Sequence, residues 1–266
     1  MSKVSISEMA KTPVVDAADG FAGSDETRSF FKVGKDPIQL HLNRLEPGHT
    51  MRIGPGADDS ITFVWQGDID IAGQILATGS SMIVERGAVA DVRSGDAEAL
   101  LLTFSGNAQS PPSPGGRIHL LPRHRVPFTI DLGHDSKVGG GMHANATPPD
   151  SCLWLHENIF PPPDQVVPLD AERGVHCHSE DEVIFVIDGQ IRLGAKLYDR
   201  GTAVSIAADT FYSFTPGPDG LRFINFRPAR PSEIRMQDGF TIDEIAYWRD
   251  RLPVPHYVTL ETKVGA

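Results

Sequence analysis

Cysteine is nearly absent from the 266 residues: Cys152 and Cys177 are the only two. Two thiols outside any CxxC pair cannot build a disulfide framework, so a reduced, cytoplasmic compartment is the expectation. No stretch approaches the roughly 20 apolar residues of a membrane span. The opening MSKVSISEMAKTPVVDAADG lacks the apolar core of a secretory signal. Basic residues are outnumbered, 24 against 35 acidic, for a formal net charge of −11. They are also unclustered, which argues against nucleic acid or an anionic membrane as a partner. Glycine (26) and proline (21) are plentiful, which suits many short strands joined by tight turns better than long helices.

The chain repeats itself. An offset of 122 residues lays SITFVWQGDIDI (60–71) on EVIFVIDGQIRL (182–193), matching Phe63 to Phe185, Val64 to Val186, Gly67 to Gly189 and Ile69 to Ile191. Without a gap, Gly79 then falls on Gly201, Gly95 on Gly217 and Phe104 on Phe226. Glycines coincide at turns and apolar blocks coincide between them, the mark of two copies of one unit. The runs ITFVW, DIDIAG, ALLLTF, EVIFVI, QIRLGA and LRFINF are short, β-branched or aromatic, and bounded by Gly, Asp or Pro. Turn signals recur about every ten residues, as in a sandwich or small barrel. QSPPSPGG (109–116) reads as a linker between the copies. Residues 1–28 have weak periodicity and read as a flexible arm or a strand exchanged between domains. Near the C-terminus, TIDEIAYWRDRL reads as one helix, with a Thr241/Glu244 capping box and a stop at Pro253. Its Ile242, Ile245 and Trp248 are expected to pack on the outside of a barrel, and it is given no chemistry.

Chemistry concentrates in GVHCHSEDEVIFVIDG (174–189). His176 and His178, two apart on a strand, share one face, and Glu182 can reach it from four residues on. Two imidazoles and a carboxylate form a facial metal site with positions left open for substrate or oxygen. Cys177, between the histidines, faces the other way. A single buried histidine is more often a satisfied core residue, but three such groups are costly to bury without a purpose.

HxHxxxE followed, after six residues, by Gly189 resembles the first motif of the cupin superfamily. The second cupin motif keeps its spacing from Gly201, but its Pro, Gly and His have become Ala207, Asp209 and Tyr212. The resemblance implies an all-β fold of two tandem cupin jelly-roll barrels with a short C-terminal helix, cut at 1–110 and 111–266. It implies a small-molecule substrate, a divalent ion (Fe(II) favoured; Mn, Ni or Zn alternatives) and a monomeric pseudo-dimer or a homodimer. It also places Tyr212 where a fourth ligand normally sits. There it is a ligand, an acid or base for substrate, or filler, with the catalytic role preferred to filler. By the same offset the first copy carries Gly54, Gly56, Ser60 and Ala90 at these four positions, so that barrel is expected to be structural, with a metal-free ligand pocket as the alternative.

Other candidates are weaker. One of His156 and Glu157 is expected to face the barrel interior, and Phe214 shares the parity of Tyr212. Arg192, Arg222 and Asn225 are candidates to hold a substrate carboxylate, or else face solvent. His119, His124, His134 and His143 are unassigned. The function expected is a metal-dependent enzyme of the non-haem iron dioxygenase type. Lewis-acid isomerase, lyase or decarboxylase chemistry and a non-catalytic binding protein are the alternatives.

Overall fold

The computed structural model describes residues 3–16, 20–31, 38–106, 115–130, 139–145, 153–163, 174–229, 233–249, 251 and 253–262. Cys152 and His134 lie outside these. The described residues form four antiparallel sheets, two large and two small, arranged as two barrels. In the first, an eight-stranded sheet runs in the order Val14–Val15, Glu26–Ser29, Ile38–Leu45, Ala99–Gly106, Ser60–Gln66, Ser81–Val84, Arg117–Leu121, Val258–Glu261. A five-stranded sheet faces it, and Met51, Ile53, Ile69 and Val92 meet Val64, Met82 and Leu101 in the core between them. In the second, the large sheet runs Val4–Glu8, Thr202–Ile206, Glu182–Leu193, Thr215–Arg227, Trp154–Phe160, Gly139–Asn145, Phe128–Ile130. It is closed by a small sheet of His176–His178, Glu233–Met236 and Thr241–Asp243.

The repeat read from the sequence is a repeat of register. Phe104 pairs with Ile61 and Thr103 with Thr62, while 122 residues on Phe226 pairs with Val183 and Asn225 with Ile184. Alternation then sends successive side chains to opposite faces. One face of each large sheet lines its own barrel. The other packs on its counterpart, with Phe63, Trp65, Leu102 and Phe104 set against Val183, Phe185, Ile224 and Phe226 in one buried cluster. Repeat-related residues meet each other across this contact. The Phe104 and Phe226 rings stack with centroids 5.0 Å apart, and the Trp65 indole N–H donates to the Ile187 carbonyl at 3.1 Å. Both pairs are separated by 122 residues, so they mark an internal two-fold axis.

The leading strand of each half joins the other half's barrel. Val4–Glu8 pairs with Thr202–Ile206, and Arg117–Leu121 pairs with Ser81–Val84 and with Val258–Glu261. The sheets therefore do not divide at 110/111.

The helix is shorter than the sequence suggests. Thr241–Asp243 is a strand, the helix is Glu244–Arg249, and the Asp243 carboxylate caps it by accepting the Ala246 N–H at 2.9 Å. Trp248 does not lie on the outside. It packs against Met142 and Trp154 inside the second barrel, and Ile245 is exposed.

Phe226→Ala should cost about 3–5 kcal/mol, because its ring is fully buried on the two-fold axis. Urea unfolding followed by tryptophan fluorescence and far-UV circular dichroism should show one coincident transition, since the lost contact belongs to both barrels.

Candidate functional site

The second barrel gathers most of the expected residues. His176 and His178 enter from the small sheet, and Glu182 opens the strand Glu182–Leu193. Tyr212 reaches them because it is held to His176 by two backbone hydrogen bonds of 2.9 and 3.0 Å. Asn225 comes from the neighbouring strand and donates to Glu182 Oε2 at 2.5 Å.

The network fixes both imidazole tautomers. His176 Nδ1 donates to the Gly174 carbonyl at 3.2 Å, so Nε2 carries the lone pair and faces the Tyr212 hydroxyl at 3.2 Å. His178 Nε2 accepts from Arg227 at 3.3 Å. Its protonated Nδ1 then turns toward Glu244 Oε2, 3.4 Å away, within ion-pair range though not aligned as a hydrogen bond. Each ring therefore points Nδ1 at an oxygen and a basic Nε2 into the barrel, as metal-binding histidines do. Glu182 Oε2 lies 3.8 Å from His178 Nε2, and Glu182 Oε1 is buried with no hydrogen-bond partner.

This donor set suits a divalent cation: two neutral imidazoles, one carboxylate with an unsatisfied oxygen, and a phenol beside them. The three donors are splayed, however. Among the described residues the group that converges within 4.8 Å is Asp25, Glu46 and His49 on the surface. There Asp25 already binds His49 at 2.8 Å and the Glu46 N–H at 2.7 Å. In the barrel, by contrast, Tyr212 and Arg227 are the groups bonded to the two Nε2 atoms. Closing the donors on an ion requires both to give up those bonds.

Arg227 is the residue whose role the sequence hides. Fully buried, it donates to Glu244 at 2.5 Å and lies 3.7 Å from Glu182. Burial works against all three charges. For Glu182 and Glu244 it is outweighed by the neighbouring Arg227 cation, with the Asn225 hydrogen bond added at Glu182, so both carboxyls stay below the ordinary range. Arg227 is in turn held firmly cationic by Glu244 and Glu182. Burial, then the Glu182 charge, pushes the Tyr212 phenol well above its usual value, so it stays protonated. Arg227 is two residues along the strand from Asn225 and shares its face, a signal that parity alone provides. Glu244 carries no comparable signal, because the helix reaches the barrel only through the tertiary fold.

The paired candidates separate. His156 faces the interior, with its ring on Trp248 at 4.3 Å, and burial lowers its pKa to about 3. Glu157 faces the opposite way, into the contact between the large sheets, and is not part of this site. Fully buried, it bonds Arg123 and Arg222 and lies 3.4 Å from His143, which reaches Ser81 of the first barrel at 3.1 Å. Arg222 is thus taken up by Glu157. Phe214 stacks with Tyr212 at 6.2 Å. Arg192 lies ten residues along the strand from Glu182, paired with Leu197 and Thr215, and is not brought to the site. Cys177 is buried with a free thiol.

No family model and no curated protein matches the sequence. Solved structures do match over most of the chain. The protein Ylba from E. coli superposes with a TM-score of 0.62 at 10% identity, covering 85% of this chain and 91% of that one. A putative dioxygenase from Nostoc punctiforme gives 0.60 at 11%, covering 85% and 83%. The oxalate decarboxylase of Lactobacillus farciminis, solved as a formate complex, gives 0.63 at 11%, covering 92% and 90%.

Opposed to the burial that raises it, the pairing of Glu157 with His143, Arg222 and Arg123 lowers its pKa from 4.5 to about 2. A lowered acid contributes stability above its unfolded pKa and loses it as pH falls through the folded value. Glu157→Gln should therefore cost roughly 2–4 kcal/mol at pH 7. Chemical denaturation should show this difference shrinking from about pH 5 down to about pH 2. From sheet order, register and these likenesses, the chain has an all-β, cupin-type fold of two tandem jelly-roll barrels, with one short α-helix among the described residues.

Proposed function

We propose that the second barrel is the active site of a divalent-metal-dependent enzyme acting on a small organic substrate, with His176, His178 and Glu182 as the residues that hold the ion. The observation that carries this is the orientation of the two imidazoles. Both present a basic Nε2 to the barrel interior beside an unsatisfied carboxylate oxygen. The nitrogen and oxygen donors, with no thiolate among them, suit Fe(II) first, and Mn(II), Ni(II) or Zn(II) as well. When bound, such an ion supplies oxygen activation or Lewis-acid polarisation of a chelated substrate.

Three protein ligands leave room for substrate and oxygen together, which favours a dioxygenase-type reaction. Asn225 donates to Glu182 and holds its carboxylate in place, and Arg227, donating to His178 Nε2, leaves the proton of that ring on Nδ1. Phe214 supports the Tyr212 ring, and Tyr212 holds a proton at its hydroxyl. That retained proton is the observation favouring the second reading, Lewis-acid decarboxylation or isomerisation with Tyr212 as general acid. The structural likenesses include both a putative dioxygenase and oxalate decarboxylases.

Untagged protein should contain close to one equivalent of iron, manganese, nickel or zinc by elemental analysis. His176→Ala should lose it, and Tyr212→Phe should keep it. Metal-free parent protein after anaerobic reloading would refute the assignment. Oxygen uptake against carbon dioxide release, measured with small carboxylates, separates the two reactions.

A further inference from the structure

The first barrel has no imidazole pair and no carboxylate at the positions just described, and what replaces them is space. Gly54, Gly56 and Ser60 stand where the second barrel has His176, His178 and Glu182. Ser105 stands where it has Arg227. Among the described residues, the helix residues Glu244 and Trp248, which fill the mouth of the second barrel, have no counterpart here. A cavity of about 430 Å³ results, within the range of small-molecule sites.

Its polar groups are organised. His41 pairs with Thr103, as His156 pairs with Asn225 in the other barrel. The two histidines thus occupy one structural position. His41 lines the cavity, is 6% exposed, and has an Nδ1 with no hydrogen-bond partner. Burial lowers its pKa to about 4, so the ring is neutral near pH 7. An unsatisfied buried nitrogen of this kind costs about 1–3 kcal/mol, which a bound partner would recover. Ser60 and Ser105 add hydroxyls to the same wall. Phe21, whose ring is 5.1 Å from that of His41, supplies an apolar wall with Ile53 and Val84.

Charge then selects the ligand. Among the described residues no lysine or arginine lines the cavity, and the one carboxylate among them, Asp58, is exposed. An anion entering would shed water with no cation to meet it. We infer that the first barrel is a second, metal-free binding site for a small uncharged molecule with an apolar ring or chain and an amide or hydroxyl group that meets His41. It is therefore opposite in selectivity to the second barrel, whose interior is built around charge.

Three probes of one shape test this: benzamide, benzoate and benzylammonium, titrated into the full chain at pH 7.5 by ligand-observed NMR and calorimetry. Benzamide should bind at least ten-fold more tightly than either charged probe. Its binding should persist in His176→Ala, which leaves the first barrel intact. Ser60→Met, which fills the cavity, and His41→Leu should each weaken it at least ten-fold. His41→Asn, whose side-chain amide keeps a hydrogen-bonding group near the position of Nδ1, should restore most of it. Thermal melting checks that each variant is folded. Equal or tighter binding of a charged probe, no detectable benzamide binding, or benzamide binding indifferent to Ser60→Met would overturn the inference.

Discussion

The contact between the two large sheets is the constraint on which everything else rests. Each sheet is apolar on both faces and has to bury both. The back-to-back packing of Phe63, Trp65 and Phe104 on Phe185, Ile224 and Phe226 covers one pair of faces. That leaves the other pair to close over the barrel interiors. Because repeat-related residues touch on the axis, a change of register in one half would misplace the other. The two barrels must keep the same strand pairing whatever their interiors do. At the edge of this contact the buried Glu157 carboxylate ties Arg123, Arg222 and His143 together, a cluster spanning elements of both halves.

With the frame held, the interiors have diverged. The second barrel brings Arg227 into contact with His178, Glu182 and Glu244, and a C-terminal helix closes over it. Its charges lie among apolar neighbours, where each depends on the others for the solvation it has lost. The first barrel keeps the histidine position but replaces the charged residues with glycine and serine. One preserved lattice of backbone hydrogen bonds thus supports a charged interior and a neutral one.

How much of this was legible in the sequence follows from what each feature depends on. The repeat, the strands and the His176–His178–Glu182 constellation are local patterns, and spacing alone exposes them. The spacing from Gly201 points to Tyr212, and the backbone bridge to His176 brings it to the same site. The choice between His156 and Glu157 needed parity, which is undetermined until one partner of the strand is known. In the sequence Glu244 reads as the partner of Thr241 in a capping box and Trp248 as packing on the outside of a barrel, because an amphipathic pattern says only that one face is covered. It does not say that a barrel mouth covers it. The strand exchange was legible only as weak periodicity in the first residues, since a pairing partner far along the chain leaves no local trace.

That exchange also sets an order of events during synthesis. Val4–Glu8 is made well before its partner strand, since Ile206 follows Val4 by 202 residues. At about 5–20 residues per second the strand waits roughly 10–40 s for its place. Until then the second large sheet has not been made. The first lacks its outermost strand, Val258–Glu261, for longer still. Unpaired strand edges are templates for association with other chains. The architecture that locks the finished halves together therefore leaves strand edges unpaired through most of synthesis.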